Sequence, residues 1–281
     1  MKKRENQSNS AIMGNGDSAR KAKSKKSSEK STRFKAKLLA TYYGHPMKDM
    51  KLIAVTGTTG KNEVAHLVHE ILKSAGQPVA IFAAPGPFKI SALYKFLSEA
   101  WKAGANYVVV TAPIEALANG TFSELPIHVA ALTNYRPARL TYSDETEETY
   151  VKSTADEVSP EATFTTPEDY YNATVKLFQN APDYVVLNHD DETSNKFVDF
   201  AGLDGTLFYG SDRTSHIQIM NSKLYKKGVE ATLSIGGTRF TVASFLTGEP
   251  AISYMACAAA VADALHIAPE KIIDGIANYE P

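Results

Sequence analysis

The chain has 281 residues, 43% of them hydrophobic, with thirty Lys and Arg against thirty-one Asp and Glu. That is enough apolar material for one large core or two small ones. A single cysteine, Cys257, excludes an intramolecular disulfide framework and a cysteine-built zinc site. With no run of about 18 apolar residues, and no apolar stretch behind the basic N-terminus, a cytoplasmic protein is expected.

Charge is unevenly distributed. Residues 1–33 carry ten basic and three acidic side chains, a net +7, and the remainder carries twenty basic and twenty-eight acidic ones, a net −8. Residues 1–32 are Lys, Ser, Asn and Gly with hardly an aliphatic side chain. Such a segment cannot bury enough apolar surface to offset its ordering entropy, so it reads as a disordered basic tail. Two readings of the tail stand: a solvated extension, or an attractor of polyanions such as nucleic acid, anionic lipid or the acidic body.

From Arg33 apolar residues recur at helical spacing until Gly44, with Pro46 just beyond. KLIAVTG (51–57) is a short apolar strand, VAHLVHEILKSAG (64–76) an amphipathic helix, PVAIF (78–82) a strand and ALYKFLSEAWKAG (92–104) a helix. NYVVVTA (106–112) and IHVAALTN (127–134) are further strands. Their near-continuous apolar runs suit a parallel sheet covered on both faces. Residues 141–167 form a polar, acidic loop, followed by a helix (170–181) and a buried strand, DYVVLNH (183–189). Residues 207–247 hold short strands with polar alternation and glycine turns, which suggest an antiparallel extension of the sheet. Two helices, 252–267 and 269–279, close the chain. The fold class is therefore α/β, a three-layer domain over 33–281.

Between the first strand and its helix lies Thr56-Gly57-Thr58-Thr59-Gly60-Lys61. A strand, a glycine loop and a helix N-terminus form a phosphate cradle: glycines let backbone N–H groups approach oxygens, and the helix end adds positive potential. Lys61 would reach the phosphates as a point charge. The next residue in such loops is a Ser or Thr that binds Mg²⁺; here it is Asn62, whose carboxamide oxygen is a less usual ligand for a hard cation. A purely structural turn is the alternative. His189, Asp190 and Asp191 follow a buried strand, at the sheet edge where α/β ligands bind. Glu63, His66, His69 and Glu70 lack the HExxH spacing of a zinc hydrolase and read as a solvated helix face. Cys257, in an Ala-rich run, reads as a small buried side chain.

IAVTGTTGK, preceded by TYYGHP, resembles the ATP-binding central domain of the Mur ligases, above all the UDP-N-acetylmuramyl-tripeptide synthetase branch, with folylpolyglutamate synthetases as relatives. ALTNYRPARL (131–140) is similar to the family's "TNLxxDHLDYH", and TPEDYYNATVKLF (166–178) to "sxeeYxxaKxxLF". LNHDD (187–191) is similar to "iNxDD", Tyr209-Gly210 to "yG", and Gly248 with the helix after it to "GxfNvyNxxAA". The resemblance runs over 34–281 and implies a P-loop domain binding ATP, from a family that performs ATP-dependent amide ligation in peptidoglycan precursor synthesis. It marks Gly57, Thr58, Thr59, Gly60, Lys61 and Asn62 for the nucleotide, and Asn134, Asn188, Asp190 and Asp191 for the substrate or nucleotide edge. It also implies that the substrate and amino-acid domains flanking this one in family members are missing here.

The resemblance places the family's metal-handling residues on unsuitable side chains. The P-loop Thr is Asn62, and the strand-end Glu falls at about Thr111. The Asp and His of the "DHLDYH" stretch fall at about Ala138, Arg139 and Ser143. The carbamylated Lys falls on Thr174, with Lys176 on another helix face, and the two Asn residues near the adenine fall on Ala251 and Tyr254. The acidic loop adds roughly 20 residues beside these positions; its Asp144, Glu145, Glu147 and Glu148 are candidate substitute carboxylates, and a solvated acidic loop is the alternative. The reading is a stand-alone, catalytically degenerate member: ATP is the implied ligand, and no Mg²⁺ site is assigned beyond Asn62. An active ligase completed by domains on a partner chain, and an interaction module without nucleotide, are the alternatives.

Overall fold

The computed structural model describes residues 28–83, 88–136, 166–200 and 205–281. Helix α1 (28–42) leads through a 3₁₀ turn, Pro46–Lys48, into β1 (Lys51–Thr56). There follow α2 (Lys61–Ser74), β2 (Val79–Phe82), α3 (Ile90–Lys102), β3 (Tyr107–Thr111), α4 (Ile114–Ala118) and β4 (Ile127–Leu132). Next come α5 (Pro167–Phe178), β5 (Tyr184–Asn188), a 3₁₀ segment (Glu192–Phe200) and strands β6 (Thr206–Gly210), β7 (Ile217–Tyr225), β8 (Gly228–Ile235) and β9 (Thr238–Ser244). Helices α6 (Pro250–Ala264) and α7 (Pro269–Asn278) end the fold.

The nine strands make one sheet in the order β2-β3-β1-β4-β5-β6-β7-β8-β9. Its two faces bury different helices because successive side chains of a strand point opposite ways. Ile53 and Val55 of β1 pack with Val64, Leu67 and Ile71 of α2 and with α6 and α7. Leu52 and Ala54 pack with Ala36 of α1, Leu93 and Leu97 of α3 and Leu177 of α5. In β4 a register irregularity between the pairs Leu52↔Ile127 and Ile53↔Val129 steps past His128. Ile127 therefore joins the second face, while Val129 joins the first. Burying a Leu or Ile fully contributes about 1.5–3 kcal/mol, so these two layers, rather than helix propensity, fix the α/β/α sandwich.

Three sequence expectations are corrected. Residues 28–32, assigned to the basic tail, are already helical, and the tail proper (1–27) lies outside the described residues. The cause is tertiary: Glu29 pairs with Lys176 of α5 at 2.9 Å and Arg33 with Glu124 at 3.2 Å, so the first turn of α1 is docked on the domain. Secondly, the antiparallel extension is present but begins later than 207: β7 pairs antiparallel with β8 and β8 with β9, whereas β6 pairs parallel with β5 and β7 parallel with β6. A parallel neighbour normally demands a long crossover. Here β6 and β7 overlap only at Tyr209↔Ile217 and Gly210↔Gln218, so β7 starts beside the end of β6 and a short link is enough. Thirdly, α4 and the 3₁₀ segment were not legible as elements, being five and nine residues of weak periodicity. The acidic loop falls almost wholly outside the described residues, apart from Thr166, whose hydroxyl accepts the Asp169 N–H at 3.1 Å and caps α5, and Pro167 at its first turn.

Helix α6 runs through the middle of the first layer and is buried almost all round, which is why its Ala run carries no amphipathic stripe. Cys257 lies fully buried on it, and burial pushes its thiol up to about 12. Helix α7 clamps α2 from outside at a glycine: a methyl group on Gly275 would sit 2.3 Å from Ile71 Cα and 2.5 Å from its N. Gly275→Ala must push α7 off α2, at an expected cost of about 1–3 kcal/mol. Urea denaturation measures it; an unchanged midpoint would show that the α2–α7 contact is not tight in solution.

Candidate functional site

The loop between β1 and α2 owes its shape to two glycines. Gly57 (φ +140°) and Gly60 (φ +80°) occupy backbone regions that L side chains avoid. Neither has room for a methyl group: at Gly57 it would meet Thr133 Oγ1 at 2.1 Å, and at Gly60 the ring of Tyr254 at 2.1 Å.

The end of β4 holds this loop from below. Thr58 N donates to the Asn134 carbonyl and Thr59 N to Asn134 Oδ1, both at 3.1 Å. Asn134 Nδ2 returns bonds to Thr59 O and Thr59 Oγ1 at 3.0 Å, and Thr133 Oγ1 donates to Thr59 O at 2.6 Å. Thr58 Oγ1 accepts the Arg136 N–H at 2.9 Å and lies 3.2 Å from the Tyr170 hydroxyl. The amides of Thr58 and Thr59 thus serve the clasp. What the loop offers an anion is the start of α2, where the macrodipole is positive. Lys61 is 7% exposed and its ammonium donates to Gly57 O at 3.1 Å, folded back over the loop. A buried ammonium held among carbonyls is a cation stationed beside that helix end.

The remaining sequence-predicted residues sit behind this clasp. Asn188, at the end of β5, donates to Thr133 O at 3.3 Å and to Ser253 Oγ at 3.4 Å, so it supports the clasp instead of facing the loop. The Tyr209 hydroxyl donates to the same Thr133 carbonyl at 2.7 Å. Asp190 and Asp191 separate. Asp190 turns to Ser211, accepting from its N–H at 2.9 Å and its hydroxyl at 2.7 Å, while Asp191 accepts the Tyr135 N–H at 2.6 Å and the Thr193 N–H at 3.1 Å. Both carboxylates brace turns. His189 lies 3.0 Å from Ser215 Oγ and against Phe208, away from the loop. The face of α2 expected to be solvated is instead half-buried: His69 pairs with Glu70 and Glu70 with Lys73, and His66 stacks on Tyr279 beyond α7 with ring centroids 5.9 Å apart.

Two of the positions that the resemblance assigns to metal chemistry, Thr111 and Thr174, carry neutral groups with other tasks. Thr111 is buried, with its hydroxyl 3.5 Å from Phe82 O. Thr174 is buried and donates to Tyr170 O at 2.9 Å, a bond to the preceding turn of its own helix. Lys176 points elsewhere, donating to Ala118 O at 2.8 Å and pairing with Glu29. Ala138, Arg139, Ser143 and the four loop carboxylates lie outside the described residues. Among the described residues no three His, Cys, Asp or Glu side chains gather into a metal site. The start of α2 with Lys61 suits a phosphate; the residues around it do not suit a pair of divalent cations.

Sequence reading missed Thr133 and Tyr170 as wardens of the loop; it brought Tyr254 to the nucleotide site only as the residue standing at a family Asn, without its contact to Gly60. Thr133 was legible, being next to Asn134; Tyr170 was not, because its partner is 112 residues away in the chain.

A nine-stranded α/β/α sandwich with a glycine loop and a buried lysine between its first strand and helix defines a P-loop-type domain. The chain belongs to the Mur ligase middle domain family, which matches residues 55–156 and 162–262. It is 26% identical over 258 residues to the UDP-N-acetylmuramoyl-L-alanyl-D-glutamate–2,6-diaminopimelate ligase of Solibacter usitatus, covering 85% of this chain and 48% of that one. It is 27% identical over 262 residues to the same ligase of Bacillus licheniformis, covering 86% and 49%. The chain spans about half the length of the curated relatives it matches. Among solved structures, MurF of Thermotoga maritima in complex with ADP superposes with a TM-score of 0.61 at 17% identity, covering 88% of this chain and 52% of that one. An L. casei FPGS mutant does so with a TM-score of 0.63 at 16% identity, covering 88% and 67%. Both likenesses are of fold.

The Gly60–Tyr254 contact makes a testable pair. Gly60→Ala places an L residue in the left-handed region, a cost of about 1–2 kcal/mol, and drives a methyl group into the Tyr254 ring. Combining it with Tyr254→Ala relieves the collision and leaves the backbone cost. The cycle, read by thermal or urea unfolding, is expected to be non-additive by about 1 kcal/mol; strict additivity would mean that the ring does not rest on the glycine.

Proposed function

We propose that this chain is a nucleotide-binding middle domain of the Mur ligase type that holds ATP through its phosphates and is catalytically degenerate. The observation that carries the reading is Lys61: a buried lysine folded over a glycine loop at the start of α2, with neutral Asn62, Thr111 and Thr174 where the resemblance puts metal-handling groups. Backbone N–H groups and the helix end would receive the phosphate oxygens, and Lys61 would exchange the Gly57 carbonyl for a phosphate as a point charge. ATP, when bound, supplies an activated phosphoryl group. Moving that group to a carboxylate requires its charge to be neutralised in flight, which two divalent cations do in phosphoryl transfer. Thr111 and Thr174 bring no negative charge to such cations, and Asn62 offers one neutral carboxamide oxygen.

A second reading is an ATP-dependent amino-acid ligase, the activity that the names of the curated relatives carry. The resemblance to peptidoglycan ligases then supplies the substrate class, and acidic side chains of the loop or of a partner would have to supply the metal ligands. An interaction module without nucleotide is the third, and the loop measurement separates it from the others.

Calorimetric titration of the chain with ATP is expected to show binding that Lys61→Ala abolishes and that Mg²⁺ does not tighten. Asn62→Thr alone is expected to leave ATP turnover at zero, measured as phosphate release. Binding unaffected by Lys61→Ala, or none at all in a folded sample, would overturn the nucleotide reading; ATP turnover in wild type or in Asn62→Thr would overturn the degeneracy.

A further inference from the structure

Helix α1 is amphipathic twice over. Its inner face seats Ala36, fully buried, with Leu39, Ala40 and Tyr43 packed against the second core layer. Its outer face carries Phe34, Leu38 and Tyr42, four residues apart and 64%, 56% and 80% exposed. Residues at that spacing form one stripe along a helix. Trp101, the only tryptophan, continues the stripe: it is 36% exposed, and a methyl group on Gly44, two residues past the end of α1, would lie 3.8 Å from its ring. Four of the eight large hydrophobic side chains exposed among the described residues therefore fall on one patch. Scattered exposed apolar residues need no explanation, whereas a contiguous stripe of them does.

Charge says what the stripe faces. At helical spacing Lys30 and Lys37 border it on one side and Lys35 on the other, all three exposed. Lys37 keeps only a long, solvated pairing with Glu124 at 3.8 Å. The sequence is basic throughout this end, residues 1–33 carrying net +7 against −8 for the rest. An apolar stripe rimmed by lysines, with tyrosine and tryptophan at one end, has the chemistry of a helix lying at a membrane surface: side chains enter the acyl boundary, ammonium groups stay at the phosphates, and aromatic rings settle at headgroup level. The net acidic remainder of the chain is repelled by the same surface, so the lysine rim favours an approach with this face forward.

We infer that α1 docks the domain on an anionic lipid bilayer through Phe34, Leu38, Tyr42 and Trp101 within their lysine rim. The docking is peripheral, since no helix among the described residues is long and apolar enough to cross a membrane. It is independent of whether the glycine loop holds nucleotide.

The test is co-sedimentation of the full chain with vesicles of phosphatidylglycerol and phosphatidylcholine in equal parts, beside pure phosphatidylcholine vesicles. Binding is expected only to the anionic vesicles, weakening as salt rises, with a blue shift of Trp101 emission. Phe34→Gln/Leu38→Gln is expected to lower the partition coefficient about tenfold and to remove the blue shift, with an unchanged melting curve because both side chains are already exposed. Tyr42→Gln, at the most exposed position, repeats the measurement if the double variant melts early. Three outcomes overturn the inference. One is no binding to anionic vesicles at low salt. Another is undiminished binding by the stripe variants, which would leave the basic residues alone responsible. The third is a wild-type dimer in sedimentation that the stripe variants dissociate, which would make a second copy the occupant of the stripe.

Discussion

The side chain of Asn134 is the joint on which the site turns. A carboxamide has two donors and two acceptor sites, and Asn134 applies both ends to Thr59 while its own carbonyl takes the Thr58 amide. Together with Thr133 it welds the β1–α2 loop to β4, the strand hydrogen-bonded beside β1. Everything behind is arranged to hold that joint still: Asn188 and Tyr209 bond the Thr133 carbonyl, and Asp191 bonds the amide of Tyr135. A loop so constrained loses little freedom when a ligand arrives, which is how preorganisation improves affinity without adding contacts.

Thr111, Thr174 and Lys176 are tied to the fold itself. The buried Thr111 hydroxyl lies 3.5 Å from Phe82 O, that of Thr174 donates to Tyr170 O one turn back in its own helix, and Lys176 bonds α4 and α1. Thr111 and Lys176 thus link one element to another, and Thr174 links one helical turn to the turn before it.

Legibility in the sequence followed the range of the interaction. The parallel strands were readable because β1, β3, β4 and β5 are apolar runs bounded by turn residues, and the glycine loop because its chemistry is contiguous. Family likeness extended the reading to Asn134 and Asn188 as neighbours of the site, though not to their tasks. What could not be read depends on partners far away: the first turn of α1 is helical because Glu29 and Arg33 meet Lys176 and Glu124. The pairing sense of β6 and β7 is set by a stagger between strands, not by any pattern within them. Asp190 and Asp191, adjacent in sequence, diverge because one faces the β6 turn and the other the Tyr135 backbone. Only Gly210, which leaves no room for a methyl group beside the Asp190 carboxylate, hinted at that division.

Cys257 has a use that has nothing to do with ligands. It is the molecule's sole thiol, fully enclosed in the middle of α6, and its high pKa leaves it almost entirely unionised at neutral pH. An alkylating reagent can therefore reach it only when α6 lifts from the sheet. The rate at which the sulfur is trapped is a clock for the opening of the first core layer, read from one atom and set against a silent native background.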